Sequence, residues 1–196
     1  MATAAQKPKL VVIVGPTASG KSELAMRVAK EFNGEIITGD SRTVYRGMNI
    51  GTAKPSKADQ KVVPHWGLDL VEPGQRFSAA TFKKYAEAAI KDVRMRGKLP
   101  ILVGGTGLYI DSVLFDFGFR ADSDLMQRQK LEKLSATELQ KIIQDQGYKM
   151  PENSQNRRHL IRIIETEDQN DTKKSQPGAQ VILVGLMPND DKIHAR

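Results

Sequence analysis

The stretch Leu10-Val11-Val12-Ile13-Val14-Gly15-Pro16-Thr17-Ala18-Ser19-Gly20-Lys21-Ser22 runs an apolar segment straight into a G-x-x-x-x-G-K-S loop, and the amphipathic segment Glu23 to Phe32 follows. It reads as strand, phosphate loop and helix. A continuous apolar run of this kind suits a strand buried on both faces of a parallel sheet. Gly15 and Gly20 permit backbone conformations that a side chain blocks. The loop formed by Gly15, Pro16, Thr17, Ala18, Ser19, Gly20, Lys21 and Ser22 can therefore turn its amides onto phosphate oxygens, at a helix N-terminus whose dipole favours anions. Lys21 then reaches the terminal phosphates as a point charge, and the Ser22 hydroxyl is the expected ligand of Mg²⁺. An ordinary glycine-rich turn would not need Lys21 and Ser22 together.

Working outward, Gly34 to Ser41 reads as a second short strand that ends in small polar residues. Side chains at the carboxyl ends of such strands face the ligand crevice, so Asp40 belongs near the phosphate loop. Asp is also a good helix cap, and position alone leaves both roles open. Val44 to Ser56 carries too many glycines and too little periodicity for regular structure. It is either a functional loop or disordered. His65 lies beside Trp66, the single tryptophan, and reads more naturally as a buried structural histidine than as a ligand. Phe82, Tyr85, Ala86, Ala89, Ile90 and Val93 give Phe77 to Arg96 the spacing of a helix packed by one face, with Ser78 as N-cap and Gly97 as stop. Leu99 to Ile110 then repeats the opening theme of apolar strand, glycine-rich turn and apolar helix start. Such alternation predicts an α/β doubly wound parallel sheet, spanning residues 1–121.

Between 122 and 179 the pattern becomes charged and helix-forming. Gln127 to Leu134, Thr137 to Gln146 and Asn156 to Glu165 read as three short helices, the last apolar on one face and basic on the other. Residues 167–178 read as a flexible connection. Gln180 to Leu186 is one more strand of the buried type, and 180–196 is expected to return the chain to the core.

Composition narrows the classes. With 196 residues, 39% hydrophobic and 27% charged, the chain describes a globular protein with a real core rather than a disordered one. The absence of cysteine removes disulfides and thiolate metal sites. No apolar run approaches a membrane span, and Met1 to Lys9 lacks an apolar core, so neither membrane association nor a signal peptide is expected, and the expected compartment is the cytoplasm. The formal charge of +7 suggests a polyanionic partner, although charge alone also fits solvated lysines.

The loop at 15–22, Asp40-Ser41, the Arg46-to-Pro55 run, Pro64-His65 and Gly104-Gly105-Thr106-Gly107-Leu108-Tyr109 occur in the order and spacing of one family. Along essentially its whole length the chain resembles the tRNA dimethylallyltransferases, or IPP transferases. The resemblance implies a P-loop NTPase-like fold, with transfer of a dimethylallyl group from dimethylallyl diphosphate to the exocyclic amine of the tRNA adenosine 3′ of the anticodon. It implies Asp40 as the base, with Lys21 and Thr106 completing the catalytic set. It places the anticodon stem-loop against Asp40, Ser41, Arg42, Thr43 and Thr106, and against Arg158, His159, Leu160, Ile161 and Arg162 of a basic segment at 122–179. The target base is expected to be flipped out of its stack. Thr43 stands where many members carry Gln, and Trp66 where a second His often follows the first. Members run on well past the equivalent of Arg196, so the chain reads as C-terminally short, and a monomer is expected. A P-loop kinase using ATP, an adenylate isopentenyltransferase, and a chain that binds without turnover are the competing readings.

Overall fold

The computed structural model describes residues 10–119, 125–166, 176–177 and 180–187. Two compact units emerge, one formed by Met1–Asp116 with Lys174–Arg196 and the other by Phe117–Lys173. The expected connection at 167–178 falls almost wholly outside the described residues.

In the first unit the apolar runs become β1 (Leu10–Val14), β2 (Gly34–Thr38), β4 (Leu99–Gly104) and β5 (Val181–Gly185), and a two-residue β3 (His65–Trp66) joins them. All pair in parallel, in the order β3-β2-β4-β1-β5. The strand period of two splits their side chains between two layers. Val12, Ile37 and Leu102 point to one face, where α3 (Ala79–Met95) and α4 (Gly107–Leu114) contribute Phe82, Ala86, Ile90, Tyr109 and Ile110. Val11, Ile13, Ile36, Ile101 and Val103 point to the other, where α1 (Lys21–Glu31) contributes Ala25 and Ala29. Helices on both faces of a parallel sheet make the α/β doubly wound fold that the alternation predicts, of the P-loop NTPase-like kind that the resemblance implies. Ser78 caps α3 by accepting the Thr81 amide, and Gly97, at φ 69°, follows its end.

Two features depart from the sequence reading. The strand β5 lies at the sheet edge, with Ile182 47% and Leu183 54% exposed, so the buried-type run is not buried. A six-residue helix, α2 (Lys57–Val62), follows the 44–56 loop, set by a capping box between Ser56 and Asp59. At the amino end of the sheet, Glu35 is buried at 1% exposure and bonds Arg96 through both carboxylate oxygens, together with Lys98 Nζ (2.7 Å) and Trp66 Nε1 (2.8 Å). These bonds hold its carboxyl down to about 2, the Arg96 guanidinium contributing most. His65 is half-buried in β3; its Nδ1 lies 2.8 Å from the Val63 carbonyl, and burial lowers its pKa, in keeping with a structural histidine.

The second unit packs α5 (Leu125–Leu131), α6 (Ala136–Asp145) and α7 (Arg157–Thr166) around Leu131, Leu139, Ile143, Leu160, Ile161 and Ile164. Ser135 and Glu138 form the capping box of α6. Arg128 Nη1 donates to both oxygens of the buried Glu165 side chain at 3.0 Å, tying α5 to α7.

Candidate active site at the carboxyl edge of the sheet

The central strands β2, β4 and β1 are neighbours, so the three loops that leave their carboxyl ends converge. Glycines set how closely. A Cβ on Gly104 would lie 2.0 Å from the Gly39 carbonyl oxygen, and one on Gly15 would lie 2.6 Å from that of Leu186. The Gly39 amide donates to the Val103 carbonyl at 2.7 Å. The turn after β2 is thereby drawn onto the turn after β4, and the Ser41 amide donates to Thr106 Oγ1 at 3.1 Å. Asp40 and Thr106, far apart in sequence, are thus brought into one cluster.

The glycine-rich loop at 15–22 completes it. Ala18 and Gly20 take left-handed φ values of 63° and 89°, which curl the backbone into the start of α1. Ser19 Oγ is buried there without a protein partner. Lys21 Nζ donates to the Pro16 carbonyl and lies 4.0 Å from the position of a Cβ on Gly105. Burial lowers the Lys21 pKa, and the charge of Asp40 opposes that shift, so the ammonium and the carboxylate share one electrostatic environment. Tyr109 lies below, stacked on Phe82 with ring centroids 4.4 Å apart, and donates to the Phe77 carbonyl. Its phenol is pushed up to about 12 by burial and by neighbouring Tyr45 and Asp40, so it stays protonated.

Asp40 closes a turn rather than a helix. Its Oδ1 accepts the Arg42 amide at 2.8 Å, and the next helix begins only at Lys57. Arg42 is exposed and Ser41 half-buried at the lip of this turn. Thr43 is different: it is 3% exposed, and its hydroxyl donates to the Asp40 carbonyl, so its side chain braces the backbone at Asp40. In the second unit the side chains of Leu160 and Ile161, at 0% and 3% exposure, belong to the core. Arg157, Arg158, His159 and Arg162 are the exposed residues of α7. Arg157, on the same basic helix, spends its guanidinium on the Glu132 and Leu134 carbonyls at the end of α5.

A parallel α/β sheet with a glycine-rich loop after its first strand and a carboxylate after the next defines a protein of the P-loop NTPase-like fold class. The model of the IPP transferase family matches residues 43–196, and the chain belongs to that family. The tRNA dimethylallyltransferase of Anoxybacillus flavithermus is 42% identical over 96% of this chain and 64% of its own. The crystal structure of the tRNA delta(2)-isopentenylpyrophosphate transferase of Staphylococcus epidermidis is 40% identical over 91% of this chain and 63% of that one, with a TM-score of 0.59. A eukaryotic dimethylallyltransferase, solved acting on tRNA, reaches a TM-score of 0.71 at 26% identity over 90% of this chain and 48% of its own. The chain therefore spans less than two thirds of the length of these relatives.

Proposed function

We propose that the chain transfers the dimethylallyl group of dimethylallyl diphosphate to the exocyclic amine of the adenosine 3′ of the anticodon in a tRNA stem-loop. The observation that carries this reading is the convergence of three loops: Gly104 against Gly39, the Ser41 amide on Thr106 Oγ1 beside Asp40, and Lys21 Nζ next to Gly105. An anion site and a carboxylate at one crevice suit a reaction that releases an anion and a proton together.

In that reaction the allylic C–O bond breaks, and its electron pair leaves with the diphosphate. Loop amides and Lys21 stabilise that developing charge. The amine lone pair forms the new C–N bond, and its proton passes to the Asp40 carboxylate. The hydroxyl of Thr106 accepts the Ser41 amide, which supports a role in orienting the base. Among the described residues no acidic or histidine cluster holds a metal by itself. The exposed Ser22 hydroxyl in the first turn of α1 nevertheless fits Mg²⁺, which takes few protein ligands beside substrate phosphates. Such an ion would add positive charge on the leaving diphosphate.

The stem-loop meets Asp40, Ser41, Arg42 and Thr106 in one unit, and Arg158, His159 and Arg162 in the other. The names of the relatives favour tRNA over a free nucleotide or a kinase substrate. No helix among the described residues is long and apolar enough to cross a membrane; the working state that goes with this reading is a monomer in the cytoplasm.

The test incubates the chain separately with labelled dimethylallyl diphosphate and with labelled ATP, each with an anticodon stem-loop and with excess AMP. Prenyl label in the stem-loop supports the reading. Phosphate transfer without prenyl transfer, or label in AMP alone, contradicts it. Replacement of Lys21 by Ala should remove about 2–4 kcal/mol of transition-state stabilisation.

A further inference from the structure

The loop from Arg46 to Pro55 holds a lysine in surroundings unlike those of a surface lysine. The side chain of Lys54 is 3% exposed, and its Nζ donates to the Tyr45 carbonyl and to Asp69 Oδ1, both at 2.8 Å. Burying an ammonium is costly unless acceptors surround it, so these two contacts explain why the charge is tolerated. They also explain what it holds.

Asp69 sits in the left-handed region at φ 54°, and its amide donates to the Thr43 carbonyl at 3.2 Å. The Thr43 hydroxyl in turn donates to the Asp40 carbonyl at 3.2 Å. Lys54, Asp69, Thr43 and Asp40 therefore stand in one hydrogen-bonded line. Further bonds run alongside: Leu70 N–H to the Val44 carbonyl at 2.7 Å, Arg46 N–H to the Val71 carbonyl at 2.9 Å, and Arg46 Nε–H to the Asp69 carbonyl at 3.0 Å. The segment that carries Asp40 is thus strapped to residues 69–71, and Lys54 is the buried charge at the centre of the strap.

We propose that Lys54 is a positioning residue for Asp40. Its ammonium fixes the 69–71 segment against Thr43, and Thr43 fixes the backbone from which the Asp40 carboxylate is aimed. The proposal rests on the reading of Asp40 as the proton acceptor. A misplacement on the order of 1 Å at a reacting group costs about 10²-fold in rate, which sets the size of the effect.

Lys54→Met keeps the bulk of the side chain and removes the charge. In single-turnover prenyl transfer to the stem-loop, it should slow the reaction about 10- to 100-fold while leaving the affinity for inorganic pyrophosphate unchanged. Lys54→Arg should recover most of the loss, because a guanidinium can meet both acceptors. In an Asp40→Asn background, Lys54→Met should add nothing. Undiminished transfer by Lys54→Met, or an equal further loss in the Asp40→Asn background, would overturn the proposal. Hydrogen exchange of the peptide spanning 40–46 gives a readout independent of turnover: it should accelerate in Lys54→Met while α1 is unchanged, and equal protection would overturn the proposal. Should Lys54→Met fail to fold, Asp69→Asn weakens the same pairing and is held to the same exchange criterion. A wild-type chain that transfers no prenyl group, or an Asp40→Asn variant as fast as wild type, would sink the reading of Asp40 and leave the exchange result standing.

Discussion

Gly104 and Gly39 meet backbone to backbone, so closely that a Cβ on Gly104 would come within 2.0 Å of the Gly39 carbonyl oxygen. This contact sets the turn carrying Asp40 beside the turn carrying Thr106, and no other residue type fits Gly104 without moving a strand end.

Gly104→Ala should therefore destabilise the first unit by about 1–3 kcal/mol or more, and separate Ser41 from Thr106. Gly105→Ala is the control. Its added carbon would meet the Gly15 carbonyl at 3.8 Å and Lys21 Nζ at 4.0 Å, which are ordinary contacts, so stability should hold within about 0.5 kcal/mol. Urea denaturation of the two variants checks this; equal loss in both would contradict the close-contact explanation.

The Glu35 cluster predicts an acid-labile component of stability. The folded carboxyl is held at about 2, below its ordinary value. A carboxylate with a depressed folded pKa stabilises fully above its unfolded pKa, and that contribution fades as pH falls from there towards about 2. At pH 7 Glu35→Gln should cost about 1–3 kcal/mol, and the gap to wild type should narrow between pH 5 and pH 3. A gap that is constant with pH would show that shape rather than charge is being measured.

On the basic helix α7, neighbouring arginines should behave differently. Arg157 serves the carbonyls of Glu132 and Leu134, so Arg157→Ala should lower the melting temperature. Arg158 is exposed, so Arg158→Ala should leave melting unchanged, weaken binding of every stem-loop sequence alike and reduce the salt slope by up to about one unit. Unchanged affinity and slope in Arg158→Ala would remove the helix from the nucleic-acid surface.

The parallel sheet was legible because apolar runs and glycine-rich turns are local signals, and the convergence of 15–22, Asp40 and Thr106 follows from topology once those strands are placed. Other features were not local. A run such as Val181 to Gly185 looks the same whether a strand is covered or lies at an edge, as β5 does. The helix α2 is too short to show a period, although Ser56 and Asp59 carry a capping signal that could have found it. The burial of Thr43 depends on packing, and the duties of Arg157 and Lys54 on acceptors farther along the chain, mostly carbonyls, which residue type does not encode.

The central claim is that Asp40 accepts the proton of the attacking amine. Asn retains an oxygen for the Arg42 amide, so Asp40→Asn should preserve the turn and the melting temperature. Rapid-quench single-turnover transfer from labelled dimethylallyl diphosphate to the stem-loop should fall by roughly 10²–10⁴, with pyrophosphate affinity unchanged. Transfer at the wild-type rate by the folded Asp40→Asn variant would contradict the account.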